Sequence, residues 1–191
     1  MPTRIFLVRH GATTLTAEDR FAGSSNVNLS EEGRRQVASL ARRLEGEELH
    51  AVYCSPLDRT VETATILAAP HGLEPIREPG LREIDYGHWE GLRRSEIEAR
   101  HAEEYAAWQE DPFTIGPRGG ESGVNVLNRA LPVMRSIVED NRHRNILVVA
   151  HKGVNRILIS RLLGLDVRGY RDRLDQSPAG LSILDFMGDV H

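Results

Sequence analysis

The chain has 191 residues, enough for one domain with its own core and two domains at most. Hydrophobic residues make up 40% and charged residues 27%, a balance that excludes a wholly disordered chain. The 24 basic side chains stand against 28 acidic ones, a net charge of −4, which gives no bulk drive toward nucleic acid or an anionic membrane.

Thr3 to Arg9 is a β-branched and apolar run of strand length. Gly11 to Asn28, rich in Gly, Thr, Ser and Asn, is expected to be a long loop. Ser30 is suited to cap a helix whose first turn holds Glu31 and Glu32, after which Val37, Leu40, Ala41 and Leu44 recur at helical spacing. Ala51 to Cys54 reads as a second strand. Leu57 to Ala69 is helical in composition and is stopped near Pro70 and Gly72. Glu74 to Arg77 reads as a third, short strand. Ser95-Glu96-Ile97-Glu98 fits a capping box that opens a helix toward Trp108. Asp111 to Gly123 is a loop rich in Pro and Gly. Val124, Leu127, Leu131, Met134 and Val138 then mark an amphipathic helix. Asn145 to Ala150 is a buried strand, Val154 to Leu163 a helix ended by Gly164, and Leu181 to Phe186 a last strand. The alternation predicts an α/β sandwich with a largely parallel central sheet. No linker or repeat interrupts 1–191, so a single domain is expected.

Cys54 is the only cysteine, which excludes an internal disulfide and a Cys-based zinc site. The apolar runs at Ile5 to Val8 and Ile146 to Ala150 are too short to span a bilayer. The first residues lack a signal-peptide layout, and a cytoplasmic location is expected. Lys152 is the only lysine, so any claim about one arginine must rest on its position.

The chemistry gathers at strand ends. The first strand ends in Arg9-His10-Gly11 and the fourth in His151. If the two are parallel neighbours, both histidines emerge at one sheet edge, where open α/β folds bind ligands. The second strand ends at Cys54-Ser55-Pro56, and Arg59 follows in the first turn of the next helix. Two guanidinium forks match the oxygens of a phosphoryl group. The helix N-termini after the second and fourth strands are expected to add N–H donors to it. A neutral imidazole is a competent nucleophile, and attack on phosphorus gives a phosphohistidine. No metal is demanded if arginine and histidine supply the positive charge. The leaving oxygen needs a proton, and Leu81-Arg82-Glu83-Ile84-Asp85-Tyr86-Gly87 offers two carboxylates, between which these residues alone do not choose.

The chain resembles the histidine phosphatase superfamily, the phosphoglycerate-mutase-like proteins. The resemblance rests on Leu7-Val8-Arg9-His10-Gly11, Arg20-Phe21-Ala22-Gly23, Leu29-Ser30-Glu31-Glu32-Gly33, Ser55-Pro56-Leu57-Asp58-Arg59-Thr60 with Glu62-Thr63-Ala64, Leu81 to Gly91, Gly119-Gly120-Glu121-Ser122, and Val148 to Val154. These blocks come in family order and span nearly the whole chain. The resemblance implies a three-layer α/β/α sandwich, with a helical cover over the site at about 93–117, and no metal or other cofactor. It implies His10 as the phosphorylated nucleophile, Arg9, Arg59 and His151 as holders of the phosphoryl oxygens, and Glu83 rather than Asp85 as proton donor. It adds Thr16 and Gly23 as candidate substrate contacts and a possible homodimer; Tyr86 is a candidate wall of the leaving-group pocket, and Lys152, beside His151, is a candidate contact by position.

Thr16 stands where many members have Asn, Ala12 where many have Glu, and Lys152 where a small residue is frequent. Phosphoserine phosphatases often carry His where Tyr86 stands, which does not favour that substrate. The family's mutases carry extra sequence between the Glu83 region and Gly119, and this chain is compact there, which favours a phosphatase. The expected activity is therefore metal-independent hydrolysis of a small anionic phosphomonoester. The alternative is a phosphoglycerate mutase, which hands the phosphoryl group to a second hydroxyl. A binding module without turnover needs neither His10 nor Glu83, and a metal-dependent hydrolase would set a dication beside two arginines. Trp89 serves either as pocket wall or as core, and Tyr105 and Trp108 either as cover or as packing. His88, His101 and His143 fall in no ligand spacing and are expected at the surface.

Overall fold

The computed structural model describes residues 1–17 and 20–188. Five strands form one sheet: β1 (Thr3–Arg9), β2 (Ala51–Cys54), β3 (Pro75–Arg77), β4 (Asn145–Ala150) and β5 (Leu181–Phe186). Their order is β3-β2-β4-β1-β5. The β1–β4, β2–β4 and β2–β3 pairs are parallel, and only β5 runs antiparallel, on β1. The helices are α1 (Thr14–Ala17), α2 (Glu31–Leu44), α3 (Asp58–Ala68), α4 (Arg94–Arg100), α5 (Ala102–Glu110), α6 (Gly123–Asp140), α7 (Lys152–Leu162) and α8 (Tyr170–Arg173).

Strand alternation divides the core between two faces. Ile5, Leu7, Ile146, Val148 and Ala150 pack with Val126, Ala130 and Met134 of α6 and with Val154, Ile157 and Leu158 of α7. Phe6, Val8, Leu147 and Val149 point the other way, onto Val37, Leu40 and Leu44 of α2 and Ala64 and Leu67 of α3. The result is the expected α/β/α sandwich. Cys54 is fully buried on the second face, and desolvation raises its thiol pKa to about 11. No helix among the described residues is long and apolar enough to cross a membrane.

Several boundaries differ from expectation. The 11–28 segment contains the short helix α1. The helix after β4 starts at Lys152, two residues early, because His151 is already its N-cap. The capping box before α4 is not built on Ser95. Instead Glu96 reaches back to the Arg93 N–H at 2.8 Å, so the helix opens earlier, and it breaks at His101 before α5 begins. Ser122 caps α6 as a true capping-box residue, accepting from the Asn125 N–H while the Asn125 side chain accepts from Ser122 N–H.

A third cluster, Trp89, Ile97, Tyr105 and Trp108, fastens α4 and α5 to the rest of the chain. Trp89 is completely buried and serves as core. Tyr105 and Trp108 pack there with nearly parallel rings 5.7 Å apart, and the Arg171 guanidinium lies 4.1 Å over the Trp108 ring.

Leu147 sits fully buried in the central strand β4. Leu147→Ala is expected to cost about 2–5 kcal/mol, since a core cavity adds to the lost transfer energy. Urea unfolding reads this as a lower midpoint at unchanged slope.

Candidate active site

The parallel register of β1 and β4 pairs Arg9 with Ala150, so His10 and His151 are the next residues out at the same edge. The His10 N–H donates to the Ala150 carbonyl at 3.1 Å. The two imidazoles meet edge to face with centroids 5.2 Å apart. A cavity of about 270 Å³ opens there, lined by Arg9, His10, Arg59, Glu83, Tyr86 and Lys152 of the expected set. Thr13, Arg20, Phe21, Ala22 and Arg94 complete the lining.

His10 Nδ1 lies 2.7 Å from the Gly11 carbonyl. A carbonyl can only accept, so Nδ1 carries the proton and Nε2 presents the lone pair. Burial, helped by the Arg59 and Arg9 charges and opposed only by the Gly11 bond, lowers the His10 pKa to about 3. The ring is therefore neutral and nucleophilic across the physiological range. His151 is fully buried beside it, and desolvation, then Arg59 and His10, hold its pKa well below the ordinary histidine value. Its Nε2 meets Ser55 Oγ at 2.8 Å, while Nδ1 is buried without a hydrogen-bond partner.

The arginines are fixed by main-chain carbonyls. Arg9 Nη1 donates to the Gln176 carbonyl at 2.6 Å, and its Nε is a second buried donor without a partner. Arg59 is 2% exposed and donates to the carbonyls of Ser25, Gly23 and Ala22. Burial lowers both guanidinium pKa values, yet a guanidinium stays charged. An orphaned donor on Arg9, which lines the cationic cavity, and another on His151, buried beside His10, match the acceptor oxygens of an anion.

Contrary to the expectation from sequence, the helix after β4 gives its Gly153 and Val154 N–H groups to a side chain and not to that anion. The Gly153 N–H donates to Glu83 Oε2 at 3.1 Å, and the Val154 N–H to Oε1 at 3.3 Å. The Ile84 N–H donates to Oε1 at 3.0 Å. Glu83 thus occupies the α7 N-terminus and faces the cavity. Gly153 makes room for it, since a Cβ there would lie 2.7 Å from Glu83 Oε1. Asp85 turns away, accepting from the Gly87 N–H at 2.8 Å in a local turn.

Gly23 stands one layer behind the cavity. Its carbonyl holds Arg59 at 2.7 Å, and its N–H donates to Glu90. A Cβ on Gly23 would strike the Ile84 carbonyl at 1.8 Å, so the close approach of the two loops requires glycine. Tyr86 lines the cavity with its ring edge-on to Phe21, centroids 4.8 Å apart, and burial raises its pKa so that the phenol stays neutral. Lys152 sits at the rim, its Nζ 2.7 Å from Asp175. Thr16 belongs to α1, and its side chain lies outside the described residues.

Two positioning residues carried no assigned role in the sequence. Glu90 accepts from the N–H groups of Gly23, Ser24, Ser25 and Tyr86, and so holds the loop that holds Arg59. Arg129 donates to the carbonyls of Gly80, Arg82 and Glu83 and pairs with Glu121 at 2.7 Å. Glu121 in turn accepts from the Asp85 N–H. Glu90 and Glu121 fall inside the recognised blocks, which was the available signal. Arg129 and the cavity-lining Arg94 are lost among many arginines.

A model of the histidine phosphatase superfamily, branch 1, matches residues 5–190. Phosphoserine phosphatase 1 of Hydrogenobacter thermophilus is 34% identical over 164 residues, 86% of this chain and 78% of the relative. A bifunctional protein of Mycobacterium tuberculosis is 37% identical over 190 residues, 98% of this chain but 51% of that protein, so the chain spans about half its length. Among solved structures, Bacillus stearothermophilus YhfR superposes with a TM-score of 0.93 at 29% identity, over 98% of this chain and 93% of that one.

The His10 pKa of about 3 has a consequence for stability. Below about pH 6.5 the unfolded chain takes up a proton that the folded ring refuses, so stability is full above that pH and falls toward pH 3. His151 acts in the same direction. Thermal midpoints measured between about pH 7 and pH 4 should fall less steeply for His10→Gln than for the wild type. Equal slopes would mean that His10 protonates normally in the folded state.

Proposed function

The chain belongs to branch 1 of the histidine phosphatase superfamily, and from that premise we propose that it hydrolyses a small anionic phosphomonoester through a phosphohistidine on His10. It is a phosphatase of that superfamily, and the substrate and the residue roles are the proposal. The observation that carries it is the His10 Nδ1 bond to the Gly11 carbonyl, which leaves Nε2 as a lone-pair donor in a cationic cavity that Glu83 also lines.

In this reading the phosphoryl group sits against Nε2, with its equatorial oxygens on Arg9, Arg59 and the Nδ1 side of His151. Nε2 attacks phosphorus as the P–O bond to the leaving group breaks, and Glu83 gives its proton to the departing oxygen. Glu83, now a carboxylate, takes a proton from the water that attacks the phosphohistidine. Inorganic phosphate leaves, and neutral His10 and protonated Glu83 are restored. The arginines and His151 supply the positive field in which charge develops, so no step calls on a metal.

The lining supports an anionic leaving group. Five cations, Arg9, Arg20, Arg59, Arg94 and Lys152, face the cavity, and Glu83 is the one carboxylate among the lining residues. Lys152 is paired with Asp175 and Arg20 lies 3.6 Å from Glu96, so the phosphoryl dianion falls mainly to Arg9 and Arg59, and a second carboxylate or phosphate on the substrate would meet the cations nearer the rim. A cavity of about 270 Å³ suits a metabolite rather than a macromolecular chain. Phosphoserine, named by one relative, has such a carboxylate, and so does phosphoglycerate. Transfer to a second hydroxyl, the mutase alternative, differs in its product, an isomerised phosphoester in place of free phosphate.

Phosphate release from a panel of metabolite monoesters, with EDTA present, is expected for one or a few anionic compounds and to be abolished in His10→Ala. Rapid acid-free quench should trap label on His10. Release that persists in His10→Ala would overturn the mechanism, and conversion of 3-phosphoglycerate to its 2-isomer without free phosphate would move the assignment to mutase.

Gly153→Ala tests the acid separately. The ideal Cβ lies 2.7 Å from both Glu83 Oε1 and Ile84 Cδ1, so the new methyl displaces the carboxylate tip and presses on buried Ile84, and thermal unfolding of the variant is measured beside its turnover. The turnover number should fall by about 10-fold or more, part of the roughly 100- to 10,000-fold that a general acid supplies. Unchanged turnover in Gly153→Ala would remove Glu83 from the proton-transfer role.

A further inference from the structure

His88 and His101, which no sequence spacing joins, are half-buried and meet on the helical cover. His88 lies in the turn Gly87–Trp89 that follows Tyr86, His101 is the junction between α4 and α5, and Glu104 is in the first turn of α5. The two rings are nearly perpendicular with centroids 4.7 Å apart. His88 Nε2 lies 3.1 Å from Glu104 Oε2. One ligand atom from each of the three side chains lies within 4.8 Å of the others.

The backbone N–H and carbonyl of Arg118 fix this arrangement from behind. The carbonyl meets His88 Nδ1 at 2.8 Å, so Nδ1 bears the proton and Nε2 of the neutral ring presents a lone pair. The Arg118 N–H donates to Glu104 Oε1 at 2.7 Å, which leaves Oε2 facing His88. Two acceptors then confront each other, and Nε2 is buried with no hydrogen-bond partner. A positive charge between them removes the conflict, either a proton on Nε2 or a metal ion. The proton alone gives His101 no part.

We propose that His88, His101 and Glu104 bind a zinc ion that staples the α4–α5 cover to the turn following Tyr86. Zinc takes imidazole nitrogen and carboxylate oxygen at about 2.0–2.2 Å in a tetrahedron, so these three side chains need small rotations to close on it, and water fills the fourth position. A ligating histidine whose other nitrogen donates to a main-chain carbonyl is the usual outer-shell arrangement, and here the backbone of one residue orients two ligands. The ion touches none of the reacting groups. It restrains the cover, whose Arg94 lines the cavity, and the turn two residues beyond Tyr86. The site stands apart from the phosphoryl chemistry, and its test is independent of that reaction.

Full-length protein stripped with EDTA and then freed of chelator is titrated with zinc by calorimetry and with cobalt by visible absorption. One zinc per chain, a zinc-dependent rise in thermal midpoint, and the intense absorption of four-coordinate cobalt are expected. His101→Ala should keep the metal-free thermal midpoint of the wild type and weaken zinc binding by at least about 100-fold, the upper end of what losing an outer-shell partner costs. Glu104→Gln, which keeps the shape, should weaken it comparably. The proposal fails if His101→Ala binds zinc as the wild type does, which would leave a proton between His88 and Glu104. It also fails if the wild type binds no tighter than a His88→Ala/His101→Ala double variant.

Discussion

The catalytic edge depends on one register. β1 and β4 pair in parallel with Arg9 opposite Ala150, and the His10 N–H continues the ladder to the Ala150 carbonyl. A slip of one residue would turn every side chain of a strand to the opposite face. Leu7 and Val148 would then exchange faces with Phe6 and Leu147, and the two hydrophobic layers would mismatch. The packing of both helical layers therefore sets where two histidines stand. The chemistry borrows its precision from the most buried strands of the molecule.

Around that edge the site is held by nested main-chain contacts. Glu90 gathers the amides of residues 23–25, whose carbonyls anchor Arg59. Arg129 and Glu121 tie down the segment leading to Glu83, and the first turn of α7 holds its carboxylate. Two guanidinium groups are buried against carbonyls rather than paired with carboxylates. Buried charge without a full counter-ion is unfavourable for folding. The same deficit is a preorganised field for an anion, which needs no rearrangement when it arrives. Stability is given up where binding is gained.

Sequence patterns carried the fold well because strand ends and helix faces are local signals. The His10, Arg59, Glu83 and His151 positions followed from strand ends and family blocks, and all but the fully buried His151 line one cavity. Which of Glu83 and Asp85 faces the cavity was not a local signal, since Glu83 is held there by amides of Gly153 and Val154 some 70 residues away. The expectation that these amides serve an anion failed for the same reason: a helix terminus is visible in sequence, but its occupant is not. Arg129 reaches carbonyls 46 to 49 residues distant and carries no spacing that would distinguish it. His88 and His101 were expected at the surface because the backbone of Arg118, which holds His88 and Glu104, is remote in the chain.

Lys152 has a practical side. It is the only lysine in the sequence, and its ammonium stands at the cavity rim beside Asp175. Reagents that modify amines, such as activated esters or reductive methylation, therefore meet one side chain besides the exposed α-amine of Met1, in place of the scattered population of an ordinary protein. The fluorophore or isotope label that lands on Lys152 would sit at the mouth of the cavity without any engineered residue. Protection of that amine by a bound anion would give a direct reading of occupancy, even for a compound that is never turned over.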